Sequence, residues 1–150
     1  MSVDRDWIVD RIPHQGSMCL IDHVAEWDET MIRCSVTGHR AVDHPLRTNG
    51  RLHAACGIEY AAQAMAIHGA LCSRGAGRPR AGFLASVRGV EFSVERLDDI
   101  DAALEVVAAR LGGDDNNVLY RFELAALQRP LVRGRATVIL DAGTLMKADE

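Results

Sequence analysis

The sequence predicts an α+β fold in which an antiparallel sheet of about six strands wraps one long buried helix. Three observations carry that expectation. From Ala54 to Cys72 the chain holds one formal charge, Glu59, among Ala, Gly, Ile, Met, Leu and Cys. Two short extended stretches precede this segment and four longer ones follow it. The spacers between the extended stretches are short and rich in Asp, Asn, Gly and Pro, which favours antiparallel neighbours.

Taken in order, residues 3–11 predict a short amphipathic turn or helix with Trp7, Ile8 and Ile12 on its apolar face. Pro13 and Gly16 then bracket a loop. Met18 to Val24 and Met31 to Val36 read as two strands around the turn Glu26-Trp27-Asp28-Glu29-Thr30, the second alternating Ile32, Cys34 and Val36 with Arg33 and Ser35. A loop from Gly38 to Gly50 delivers His44 just ahead of the helix. The helix, Ala54 to Cys72, would be roughly 28 Å long. An apolar surface all round means burial in a core or a membrane span. Small side chains together with Glu59, Gln63 and His68 favour the core. After the Gly/Arg/Pro-rich connection 73–79 come strands over Gly82 to Phe92, Ala102 to Leu111, Val118 to Leu127 and Leu131 to Leu140, and residues 141–150 read as a frayed tail. The exposed edges of such a sheet would be covered by a second copy, so a dimer is expected.

The chain has 150 residues, 48% of them hydrophobic and 25% charged, which suits one soluble globular domain over 1–150. A net charge of −4 argues against nucleic acid as a partner. The opening MSVDRDWIVDR is mixed in charge, unlike a signal peptide, so a cytoplasmic protein is expected, without a membrane span. Cys19, Cys34, Cys56 and Cys72 lack C-x-x-C spacing and sit in apolar company, as free thiols in a reducing compartment would.

Candidate chemistry lies in His14, His44, His53, Glu59, Gln63 and His68. A carboxyl group on a buried helix is either paired or working, and Arg47 and Arg51 are the nearby cations that could pair with Glu59. A histidine and a carboxyl group facing one apolar cavity would form an acid/base pair, and His44 lies fifteen residues before Glu59. Backbone N–H groups between Gly50 and Gly57 could serve a developing oxyanion. The spacings of His39, His44, His53, Cys34 and Cys56 match no recognised metal-ligand pattern, and neither a nucleophile elbow nor a phosphate loop is visible.

Two motifs, in the same order, carry a family resemblance. Ile12-Pro13-His14-Gln15-Gly16-Ser17-Met18-Cys19-Leu20-Ile21-Asp22-His23-Val24 is similar to the opening of the β-hydroxyacyl-acyl carrier protein dehydratases. His44-Pro45, followed by Glu59-Tyr60-Ala61-Ala62-Gln63-Ala64-Met65-Ala66, resembles that family's loop histidine and its Glu-x-Met-Ala-Gln helix. The His-Pro-Leu and Gly-Ile-Glu-Tyr-Ala wording resembles most the dehydratase-like proteins of aryl-polyene and polyketide type clusters.

The resemblance implies a hot-dog fold, usually dimeric, needing no cofactor because the substrate rides on phosphopantetheine of an acyl carrier protein. It implies His44 as the base that removes the proton beside the thioester carbonyl, and Glu59 of the other subunit as the acid that protonates the departing 3-hydroxyl. It further implies an N–H from Ala54 to Gly57 on the carbonyl, with Gln63 orienting the site. Two departures stand out. The family's Gly-His-Phe-Pro-Gly reads Asp43-His44-Pro45-Leu46-Arg47 here, and Ala54 replaces a glycine, with the loop one residue longer. These departures leave room for a non-catalytic hot-dog subunit that pairs with an active dehydratase, or for a thioesterase using Glu59 alone. From Ala61 to Val90 there is no acidic residue, while Arg74, Arg78, Arg80 and Arg88 all lie there, so they are expected to dock the acidic carrier. Met18, Met65, Phe83 and Phe92 are expected to set the depth of an acyl tunnel.

Overall fold

The computed structural model describes residues 3–11, 18–72, 82–114 and 116–140. A short helix α1 (Arg5–Arg11) leads into strands β1 (His23–Trp27) and β2 (Met31–Val36), helix α2 (Gly57–Cys72), and strands β3 (Gly82–Phe92), β4 (Leu104–Gly113), β5 (Asn117–Ala126) and β6 (Arg129–Leu140). The six strands form one sheet in the order β1-β2-β4-β5-β6-β3, antiparallel throughout. The Ile12–Gly16 loop with His14, the 73–79 connection with Arg74 and Arg78, Arg80 and the 141–150 tail lie outside the described residues.

Local chemistry sets most of these elements. Asp4 caps α1 by accepting the Trp7 N–H at 3.1 Å, and Ile8 of that helix is fully buried. The β1–β2 turn is held by Asp28, whose Oδ1 accepts from the Thr30 N–H, the Thr30 hydroxyl and the Met31 N–H at 2.7–2.9 Å. Asp114 does the same between β4 and β5, accepting the N–H groups of Asn116 and Asn117 at 2.8 Å. Along β5 the period of two buries Val118, Tyr120, Phe122, Leu124 and Ala126 and turns Leu119, Arg121 and Glu123 outward.

Helix α2 lies on the inner face, against β2, β4 and β5, and none of its residues is fully exposed. Gly57 explains how closely its start approaches the sheet. A Cβ there would stand 3.1 Å from Leu124 Cδ2 and 3.2 Å from Val132 Cγ2, so a side chain would push the helix off β5 and β6. One stripe of the helix, Ile58, Glu59, Ala62, Ala66 and Gly69, is only half-buried within the single chain.

Three expectations need correction. The first strand begins at His23 rather than Met18, and Trp27 belongs to it rather than to the turn. The helical segment opens with a 3-10 turn at Ala54–Cys56, so α2 proper starts at Gly57. The third and fourth strands are not neighbours: β3 pairs with β6, at the far side of the sheet from β1. The segment between them, residues 93–103, crosses past the start of the helical segment instead of making a hairpin. It is tied there by Ala54 N–H to Glu95 O (2.9 Å) and Leu97 N–H to Leu52 O (2.7 Å), with Leu97 fully buried.

Candidate active site

His44 sits in the loop ahead of the helix and is 8% exposed. Its ring is fixed from both sides. The Leu46 N–H donates to Nδ1 at 3.1 Å, and Nε2 lies 2.9 Å from the Tyr60 hydroxyl. Because Nδ1 accepts, the proton of the neutral ring is on Nε2 and goes to Tyr60 Oη. Burial first, then the charges of Arg47 and His39, hold the His44 pKa below the ordinary histidine value. The imidazole is therefore neutral at pH 7. Tyr60 is fully buried, and burial pushes its phenol above the ordinary tyrosine value.

Glu59 lies on the half-buried stripe of α2, one residue before Tyr60 and so about 100° around the helix from it. Gln63 Nε2 donates to Glu59 Oε1 at 3.3 Å. Gln63 is fully buried and also ties α2 to the segment after the Pro13 loop: it accepts the Leu20 N–H at 2.8 Å and donates to Met18 O at 2.7 Å. His44 and Glu59 of one chain thus point to different neighbours, and neither hydrogen bond of His44 goes to Glu59. Arg47, weighed as an ion-pair partner for Glu59, turns instead to the carbonyls of Gly50 (2.8 Å) and Arg40 (3.0 Å) and towards Asp98.

The donors expected at Ala54 and Gly57 are already engaged. Ala54 N–H goes to Glu95 O, and Gly57 N–H closes the 3-10 turn on Ala54 O and Ala55 O. The 3-10 turn takes up the Gly57 N–H, and the crossing segment takes up that of Ala54. Phe92, expected in a tunnel, is 48% exposed, whereas Met65 is buried. His53 is exposed, and Arg88 lies exposed on β3.

Two residues that sequence reasoning passed over organise this region. Tyr60 read only as part of a motif, yet it is the partner of His44. Asp98 read as spacer, yet it is buried and staples the crossing segment to the loop before the helix. Its Oδ1 accepts the Leu52 N–H at 2.9 Å and Arg96 Nε at 3.0 Å, and its Oδ2 accepts Arg96 Nη2. The Arg96 guanidinium, helped by the Leu52 N–H, holds this carboxyl far below the usual carboxylate range. No sequence signal distinguishes Asp98 from its neighbour Asp99, because burial alone selects it. No disulfide joins any of the four cysteines, of which Cys19 and Cys34 are buried, and among the described residues no group of His, Cys, Asp and Glu converges to hold a metal ion. No helix among the described residues is long and apolar enough to cross a membrane.

Comparison with known proteins agrees with this architecture. The structure of the dehydratase heterocomplex ApeI:P from Xenorhabdus doucetiae superposes with a TM-score of 0.81 at 23% identity, covering 95% of this chain and 97% of that one. A mutant thioesterase from Pseudomonas aeruginosa superposes at 0.59 with 16% identity over 80% of each chain. A thioesterase from Haemophilus influenzae gives 0.58 with 14% identity, over 80% of this chain and 77% of that one. These likenesses establish the hot-dog fold. No curated protein matches the sequence significantly. A family model described as ApeP dehydratase matches residues 7–147, nearly the whole chain including the His44 loop and α2, and the chain belongs to this ApeP-like family of dehydratases.

Proposed function

We propose that the chain acts in the dehydration of a 3-hydroxyacyl thioester presented by an acyl carrier protein, in polyene or polyketide type biosynthesis. The reaction removes a proton from the carbon beside the thioester carbonyl and uses the C–H electron pair to form the trans-2 double bond. The C3–O bond breaks, and the hydroxyl leaves as water after taking up a proton. The proton removed and the hydroxyl lost lie on adjacent carbons, so two separated groups are needed. One observation carries the reading: in a chain of a dehydratase family, a buried imidazole kept neutral lies at the start of a helix whose half-buried stripe bears Glu59. In this reading His44 is the base, and Glu59 is the acid delivered to the site of a second hot-dog subunit. Gln63 holds the carboxyl in place.

A second reading is favoured by the hydrogen bonds of His44. Its lone pair takes the Leu46 N–H and its proton goes to Tyr60, so the ring of the single chain has no lone pair to spare. Here the chain supplies Glu59 to a site whose histidine belongs to a different hot-dog partner, and His44–Tyr60 clamps the loop. The structure with 23% identity is of a heterocomplex, which accords with a chain that works beside an unlike partner.

Mass spectrometry of a 3-hydroxyacyl carrier protein incubated with the chain, alone and with a second hot-dog protein, separates these readings. Loss of one water with the chain alone, abolished by His44→Ala and by Glu59→Ala, supports the first. Water loss only in the mixture, abolished by Glu59→Ala but not by His44→Ala, supports the second. Release of free thiol without water loss would replace both by a thioesterase.

A further inference from the structure

The outer face of the sheet, which the proposed chemistry does not use, carries an unusual row of charge. Arg88 on β3 stands directly opposite Arg135 on β6, and Arg135 directly opposite Arg121 on β5. All three are exposed, and among the described residues none of them forms a salt bridge. Side chains directly opposite across antiparallel strands lie about 5 Å apart, and like charges there are destabilising. The acids on this face do not relieve the row. Glu91 and Glu123 both face Arg133 one row along, and Arg133 Nε holds Glu91 at 2.7 Å. The four arginines and two glutamates therefore leave a surplus of two positive charges on a chain whose net charge is −4.

The row borders a groove of about 670 Å³ whose floor is low because β4 contributes only Val107 and Ala109 there. A second copy of the chain would set arginine against arginine. An acidic helix fits: carboxylates three and four residues apart are about 5–6 Å from one another, which matches the spacing of the row. Arg121 is three residues along β5 from Leu124, which packs on Gly57 at the start of α2, a separation of roughly 10 Å along the strand.

We propose that Arg88, Arg135 and Arg121 dock an acidic helix of the carrier protein that delivers the thioester. This rests on the carrier-borne substrate proposed above; of the arginines expected to dock the carrier it takes up Arg88, while Arg74, Arg78 and Arg80 lie outside the described residues.

The test measures the affinity of an acidic acyl carrier protein for the chain, in complex with its hot-dog partner where one is required, by anisotropy titration at low and raised salt. It is paired with steady-state dehydration of the carrier-bound substrate and of a short pantetheine thioester. In the Arg121→Glu/Arg135→Glu variant, carrier affinity falls at least tenfold and KM for the carrier-bound substrate rises by a similar factor. The short thioester is turned over unchanged. Arg121→Gln/Arg135→Gln gives a smaller shift in the same direction, and a carrier whose acidic helix is changed to lysine restores binding to the charge-reversed variant. Unchanged carrier affinity in both variants overturns the proposal, as does affinity that is insensitive to salt in the wild type. Failure of the dehydratase reading looks different, since wild type then dehydrates neither substrate while the titration still reports on docking.

Discussion

Helix α2 takes part in two histidine–tyrosine pairs, and they are built in opposite senses. In the deeper pair, His68 of the helix meets Tyr120 of β5, with Nδ1 at 2.7 Å from the hydroxyl and Nε2 at 2.8 Å from the Asp28 carbonyl oxygen. A carbonyl only accepts, so Nε2 carries the proton, Nδ1 accepts, and Tyr120 is the donor. In the pair at the site the helix supplies the tyrosine instead. Leu46 N–H occupies Nδ1 of His44, and Tyr60 is the acceptor, which leaves the Tyr60 proton uncommitted to its histidine. Both histidines are buried, and burial is the first cause of their lowered pKa values. The lesson is that desolvation alone does not mark a working imidazole. His68 closes a circuit between the β1–β2 turn, the helix and β5, whereas His44 ties the loop ahead of the helix to Tyr60.

The comparison breaks most sharply in activity. Under the first functional reading, His44→Ala should lower turnover by on the order of 10² or more, while His68→Gln leaves turnover per folded molecule near wild type. Equal losses in both variants would erase the distinction. The converse holds for stability. His68→Ala removes a fully enclosed ring and strands the Tyr120 hydroxyl and the Asp28 carbonyl, so urea denaturation should show a loss of about 3 kcal/mol. His44→Ala, at a loop, should lose about 1 kcal/mol.

Acid sharpens the pairing. Both rings are neutral in the fold with pKa values below the ordinary histidine value of about 6.5, so the unfolded chain binds more protons as pH falls through that value. Stability should therefore decline as pH drops below about 6.5 and level off beneath the depressed folded values. The decline should be shallower in His44→Gln and in His68→Gln. A separate loss below about pH 4 belongs to Asp98, whose depressed carboxyl contributes stability only while ionised.

The smallest effect comes from a region outside both pairs. The β5–β6 turn places Leu127 at φ 52° and Gln128 at φ 65°, with Leu127 79% exposed. A two-residue hairpin with both residues left-handed favours Asn-Gly. Leu127→Asn/Gln128→Gly should raise the denaturation midpoint, a gain in stability of about 1 kcal/mol from relieved left-handed strain, and leave both histidine pairs and turnover untouched.

Much of this fold was legible in the residues. One charge in the segment 54–72 announced an enclosed helix, and alternating patterns marked β2 and β5 closely, because burial on one face imposes a period of two. Motif order led to the dehydratase resemblance, and Glu59 and Gln63 indeed meet, since residues four apart share a helix face. Strand order was not legible. The 93–103 segment holds turn-like residues, as a hairpin would, and only the burial of Leu97 and Asp98 beside Leu52 sends it across the sheet.

By itself, then, the sequence determined which segments are helix and strand, which side chains seek the core, and which family the chain resembles, because period and composition act locally. Tertiary structure alone decided that Tyr60 rather than Glu59 meets His44, that Asp98 rather than Asp99 is the staple, and that Arg88, Arg135 and Arg121 stand in one row. Each of these joins residues far apart in the chain, and such pairings are set by register and by the crossing of a connection, which no local pattern encodes.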